Sequence, residues 1–358
     1  MKKAALLMLL LCVGWLVPGC ATVPPQGERA VRLEQSEPSP LGRALDLSAS
    51  TRAKILALDS EHVTDQEVRE LLSSAPAPQI INIHGGLFPI KRAMTSFARF
   101  LIGMGYPEAS IRIPGSDAFT YGYYDDSEEI AGTVAWHYER QGLRPMIVGH
   151  SLGGIQAIRV LHKLAGDSTT NLAVWNPESR AREKRFEIID PLTGLKRPVV
   201  GLQISYATAA VAGGMARLLP NQWDMNNTLR KIPDSVVEFT GFQKGFDMLG
   251  GDYMGYGAAN DYHATGTAMV RNVRLPSSSA HLSIPYADEL LQSQEALDWI
   301  NDYQPGGEPS DAPESTLDFG LKNARILWAA EVWHSIKKHW VLELQRLIQA
   351  RLANQNDR

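Results

Sequence analysis

Apolar residues in this chain fall into two kinds of run. Short β-type runs at residues 79–83, 110–113, 145–148 and 172–175 predict buried strands. Between them, residues 90–103, 126–141 and 153–165 carry apolar positions at helical spacing. Alternation of that kind predicts an α/β fold with a mostly parallel, doubly wound sheet and helices on both faces. Thr64-Asp-Gln-Glu67 has the spacing of a capping box and precedes Val68, Leu71 and Leu72, so a short helix is expected to begin the folded part. Two further strands are expected at 236–242 and 269–275, with a helix at 287–300. The last segment, 321–358, repeats Ile326, Ala329, Trp333, Ile336, Trp340, Leu344 and Leu347 at helical spacing, which gives one strongly apolar face. That face fits either packing on the body or on another subunit, or a bilayer surface, because Trp328, Trp333 and Trp340 stand beside Lys337, Lys338 and Arg346.

The start of the chain has a different pattern. Lys2-Lys3, an apolar core over 4–17 and Gly19-Cys20 form a charged entry, an apolar stretch and a small-residue exit, the layout of an export signal. The run is short for a membrane span, and Pro18 interrupts it. Val17-Pro-Gly-Cys20 resembles the lipobox of bacterial lipoproteins, with proline where a small residue is usual; the alternative is secretion with cleavage after Ala21. The resemblance implies that residues 1–19 are removed and that Cys20 is lipidated, and the absence of Asp after Cys20 implies the periplasmic face of the outer membrane. The chain has two cysteines, and Cys12 would be lost with the signal, leaving none for a disulfide. Residues 20–50, with Pro24, Pro25, Pro38 and Pro40 among charges, are expected to be a tether. At 358 residues with 44% hydrophobic composition the chain can bury a large core, and a net charge of −4 gives no support to nucleic-acid binding.

The most informative stretch is 146–159, MIVGHSLGGIQAIR. Gly149 and Gly153 stand two residues either side of Ser151, between a strand-like run and a helix-like run. Small neighbours on both sides are what a serine needs on a cramped strand-to-helix turn. At the carboxyl end of a parallel strand, Ser151 would lie where such sheets bind ligands. Together with the upstream His84-Gly-Gly86 after another expected strand, the motif resembles the α/β-hydrolases of the lipase and esterase kind, over roughly residues 78–300.

The resemblance implies a serine nucleophile, Ser151, followed along the chain by an acid and then a histidine. It also implies oxyanion donors on the backbone N–H groups of Leu152 and Gly86, with Leu87 as the neighbouring option. Of the nine histidines, His281 lies on the loop after the expected last strand, where the family carries its base; His263 is the rival. For the acid, Asp247 and Asp252 both follow the expected strand at 236–242 and stay undivided, with Asp261 a distant third. No His-Glu-x-x-His, paired Cys-x-x-Cys or phosphate-cradling loop occurs, so neither a metal nor a cofactor is implied.

The expected organisation is a hydrolase-type domain over 51–300 with a cap insertion at about 177–234, a linker at 301–320 and an amphipathic helix at 321–358. The expected function is a membrane-tethered serine hydrolase acting on an ester or lipid substrate. A hydrolase-like scaffold that binds a partner at the cell envelope without catalysis is the alternative. The oligomeric state stays open.

Overall fold

A computed structural model describes residues 47–167, 170–213, 220–245, 247, 249–250, 260–276, 280–306 and 322–356. Cys20, the signal and residues 20–46 of the expected tether lie outside them, as does Asp252, whereas Ala49 and Ser50 already belong to a helix that buries Ile55, so the folded part begins ahead of Thr64 and the tether is correspondingly shorter. In chain order the strands are β1 (Ile80–His84), β2 (Tyr121–Gly122), β3 (Met146–His150), β4 (Trp175–Asn176), β5 (Ala181–Arg182), β6 (Glu187–Ile189), β7 (Lys196–Pro198), β8 (Ile204–Ala210), β9 (Lys231–Ile232), β10 (Val236–Lys244), β11 (His263–Ala264) and β12 (Met269–Leu275). The α-helices are α1 (Ala49–Ala57), α2 (Asp65–Glu70), α3 (Phe88–Gly103), α4 (Ser127–Gln141), α5 (Leu152–Ala165), α6 (Gln294–Asp302) and α7 (Lys322–Asn356). The capping box at Thr64 is formed, with the side chains of Thr64 and Glu67 each bonded to the other's backbone N–H.

Six strands pair in the order β12-β10-β8-β3-β1-β2, and every pair is parallel. Because the central strands are buried on both faces, their side chains divide between two apolar cores. Ile80, Val148, Tyr206 and Phe242 face α3 and α7, whereas Ile81, Ile147, Ala207 and Phe239 face α4 and α5. The chain runs from β1 outward to β2, then crosses to the other side of β1 and proceeds through β3, β8, β10 and β12. The strand order therefore reverses between β1 and β3. In an open parallel sheet this reversal leaves a crevice beyond the carboxyl ends of the two strands.

Two expected strands are corrected. Residues Glu108–Ser110 form a 3₁₀ turn, and the Ile113 N–H donates to the Ala118 carbonyl, so the run at 110–113 closes a local loop between prolines. At 172–175 only Trp175 enters a strand, and β4 pairs antiparallel with β5 in a separate ribbon on α4, with the Val174 N–H donating to Arg185. The place beside β3 is taken by β8, which lies inside the stretch 177–234 expected as an insertion. Its sequence, ISYATAA, is buried at every position and contains mostly small residues, so it carries neither alternation nor a bulky apolar signal.

The C-terminal segment is a 35-residue helix, and the bilayer-surface reading of it is overturned. Trp328, Trp333 and Trp340 are fully buried. Trp328 lies against Phe97 of α3 and Phe242 of β10, and the Trp340 indole N–H donates to the Pro76 carbonyl at 2.9 Å. Charges on the same helix are buried because partners await them: Glu331 meets Arg271 at 2.9 Å, Lys338 meets Glu238 at 2.9 Å, and Glu343 meets Arg144 at 2.6 Å. Among the described residues no helix is long and apolar enough to cross a membrane.

Candidate functional site

The loops at the carboxyl ends of the parallel strands gather most of the candidate residues. β3 is buried throughout and ends at His150; Ser151 follows and caps α5. Ser151 has φ 58° and ψ −129°, a conformation that an L-residue adopts at a cost of about 1–3 kcal/mol. Its surroundings hold it there. The Ser151 N–H donates to the Ala210 carbonyl at 2.8 Å, and α5 packs so closely on β3 that a side-chain carbon at Gly149 would lie 2.5 Å from the Gly153 carbonyl oxygen. A side-chain carbon at Gly153 would run into the Ile83 carbonyl of β1. The two glycines are therefore required by close backbone approach.

Ser151 keeps 8% exposure, and its Oγ lies 2.9 Å from Nε2 of His281. His281 opens a short 3₁₀ turn after β12, and its Nδ1 lies 2.6 Å from Oδ2 of Asp247 on the loop after β10. The other carboxylate oxygen of Asp247 accepts the N–H groups of Leu249 at 3.0 Å and Gly250 at 3.2 Å. Burial raises the pKa of Asp247, but the His281 hydrogen bond and charge and these two backbone donors outweigh it, so the group is held below the ordinary carboxylate value. An ionised carboxylate here fixes the proton of His281 on Nδ1 and leaves Nε2 free to accept from Ser151.

The backbone donors lie next to this chain of hydrogen bonds. Leu152 is the first residue of α5, so its N–H has no acceptor within the helix. Gly85 and Gly86 leave β1 directly against the serine: a side-chain carbon on Gly85 would lie 2.9 Å from Cβ of Ser151, and one on Gly86 would lie 3.1 Å from the Leu152 side chain and 2.7 Å from Tyr123. Leu87 is the half-exposed N-cap of α3.

Of the rival residues, His263 is exposed on the short strand β11, and its backbone N–H donates to Arg230. Asp261 accepts from the Gln243 side chain at 2.7 Å. Neither takes part in the Ser151–His281–Asp247 chain. Two neighbours of the site carried no signal in the sequence reading. His150 is fully buried, and its ring lies 5.1 Å from that of His281. Burial, and secondarily the charge of His281, holds its pKa well below the usual histidine value, so it stays neutral. Gly250 is the other: a side chain there would collide with the His281 ring and the Val211 carbonyl. It follows Asp247 by three positions, and its N–H is one of the two backbone donors to that carboxylate.

No protein-family model matches this sequence, and no curated protein matches it significantly.

Proposed function

We propose that this chain is a serine hydrolase of the α/β-hydrolase type that cleaves carboxylic esters through an acyl-enzyme on Ser151. The observation that carries the reading is the unbroken chain from Ser151 Oγ through His281 to Asp247, which begins at a strained serine in the crevice of a parallel sheet. In the reaction the Oγ lone pair attacks the ester carbonyl carbon while the hydroxyl proton passes to Nε2 of His281. The carbonyl oxygen takes up the negative charge and is stabilised by the N–H groups of Leu152 and Gly86. Collapse of the tetrahedral intermediate breaks the bond to the alkoxy oxygen, which leaves as the alcohol with the proton from His281. Water repeats the sequence on the acyl-enzyme and frees the acid and Ser151. Asp247 stabilises the imidazolium in both halves without taking the proton.

The lipobox-like Val17-Pro-Gly-Cys20 further supports an enzyme tethered by a lipid on Cys20 at the periplasmic face of the outer membrane, acting on ester or lipid substrates there. Multiple acyl chains, at about 0.8 kcal/mol per buried methylene, suffice for stable anchoring. Covalent labelling by a fluorophosphonate tests the catalytic reading: wild type should be labelled and Ser151→Ala should not. A folded wild type that resists the probe would favour a binding scaffold instead.

A further inference from the structure

The mechanism uses the N–H of Gly86 but leaves open what aims it. The neighbouring peptide answers through its carbonyl. The ring of His84, the last residue of β1, has Nδ1 2.8 Å from the Gly85 carbonyl oxygen, and since that oxygen can only accept, Nδ1 carries the proton. Gly85 C=O and Gly86 N–H belong to one planar trans peptide, in which the two bonds point in opposite directions. Holding the oxygen toward His84 therefore holds the Gly86 N–H away from it. The glycines on either side of this peptide have no side chains to restrict its rotation, so without an external hold the peptide has an unusually wide choice of orientation.

The ring stands beside β2: a side-chain carbon at Gly122 would be in ordinary contact, at 3.6 Å, with Cε1 and Nε2 of His84, and the Gly122 N–H donates to the Asp125 carboxylate at 2.7 Å. Burial lowers the pKa of His84 most, with Lys91 adding to the effect and the Gly85 bond and Asp125 opposing it, and the net shift is downward. Nδ1–H is available to the carbonyl in the neutral ring as in the charged one.

We infer that His84 is a positioning residue of the oxyanion site: its Nδ1–H fixes the Gly85–Gly86 peptide and so presents the Gly86 N–H to the developing oxyanion. This rests on the serine-hydrolase reading. Loss of an oxyanion donor costs about 100- to 1,000-fold in turnover, and a donor that is misaligned but retained should cost about 10- to 100-fold.

The test compares wild type, His84→Ala and His84→Asn, whose side-chain amide N–H stands the same number of bonds from Cβ as Nδ1–H. Kinetics on p-nitrophenyl butyrate are measured with the inhibition constant of phenylboronic acid, which forms a tetrahedral adduct on the serine and needs the oxyanion donors as the substrate ground state does not. His84→Ala should lower kcat about 10- to 100-fold with KM within about twofold, and weaken the boronate by a similar factor. His84→Asn should recover most of both. Unchanged kcat in His84→Ala, a loss that appears in KM alone, retained boronate affinity, or His84→Asn as impaired as His84→Ala would each overturn the assignment. Fluorophosphonate labelling of wild type separates the two failures: a labelled wild type with normal His84→Ala kinetics removes only the role of His84, whereas an unlabelled wild type removes the hydrolase reading.

Discussion

Two regions of this molecule bury charged and polar side chains, and they do so in opposite ways. Where α7 crosses the sheet, Glu238, Arg271, Glu331, Lys338 and His339 are largely buried, and each has a partner. The backbone there is a regular helix on regular strands. At the carboxyl ends of β1 and β3, Ser151, His281 and Asp247 are equally buried, but the backbone is strained at Ser151 and the hydrogen-bond chain ends on a hydroxyl that retains some exposure. A closed network in relaxed backbone answers the need to satisfy buried charge. A chain held by strain and ending on a serine hydroxyl has more order than stability requires, and that excess is what the proposed active site rests on.

The largest expected effect separates the two regions. Asp247→Asn can keep its oxygen on the N–H groups of Leu249 and Gly250, so the loop should stay folded, but the amide nitrogen then faces Nδ1 of His281 and forces the proton onto Nε2. Ester turnover should fall by as much as about ten-thousandfold with the thermal midpoint nearly unchanged. Equal loss of stability and activity would erase the distinction between the regions.

Trp328→Ala should do the reverse. The indole is fully buried between Phe97 and Phe242, and its truncation should cost about 3–5 kcal/mol in denaturant unfolding. Turnover per folded molecule should stay close to wild type. A selective loss of kcat would mean that α7 takes part in the site.

Glu238→Gln sharpens the contrast through pH. Burial alone would raise the pKa of Glu238, but His339 and Lys338 overcome it and hold the group far below the ordinary value of 4.5. A depressed folded-state pKa contributes stability that is fully present above 4.5 and is lost as pH falls below it toward the folded value. The variant should therefore lose about 3 kcal/mol at pH 7, and less relative to wild type at pH 3.5. Unfolding curves at the two pH values decide this, and a deficit that does not shrink in acid would contradict the pairing.

The two regions also differed in how far the sequence disclosed them. The site was legible because close backbone approach leaves a local trace: Gly149 and Gly153 bracket Ser151 within five residues, and His281 follows a strand whose bounds, Met269–Leu275, the apolar pattern predicts without error. Asp247 and Asp252 could not be divided because the deciding feature is spatial, namely which loop carboxylate meets His281 and lies over Gly250. The α7 layer was misread in part because its logic is long-range. Lys338 looks like a solvated charge until Glu238 is opposite it, 100 positions away in sequence, and Glu343 likewise meets Arg144 from a distant part of the chain. β8 was missed because a strand buried among neighbours on both sides can be built from small residues, and ISYATAA gives periodicity nothing to detect.

The smallest expected effect concerns the other histidine in contention. His263 follows the proposed nucleophile Ser151 in sequence, so sequence order alone does not exclude it as the base. In the fold it is exposed on β11, with its backbone N–H on Arg230 and its strand paired to Lys231 of β9, away from both buried networks. A side chain of that kind contributes neither proton transfer to Ser151 nor a buried partner to the α7 layer, so His263→Ala should leave turnover within about twofold and stability within about 0.5 kcal/mol. The matched variant His281→Ala should lose at least about a thousandfold, since the three residues act as one unit. Turnover and unfolding measured on the two variants side by side carry the decision. If His263→Ala were the more damaged enzyme, the proton would not travel along the 2.9 Å contact from Ser151 to His281, and the strained turn would have to serve some purpose other than acyl transfer.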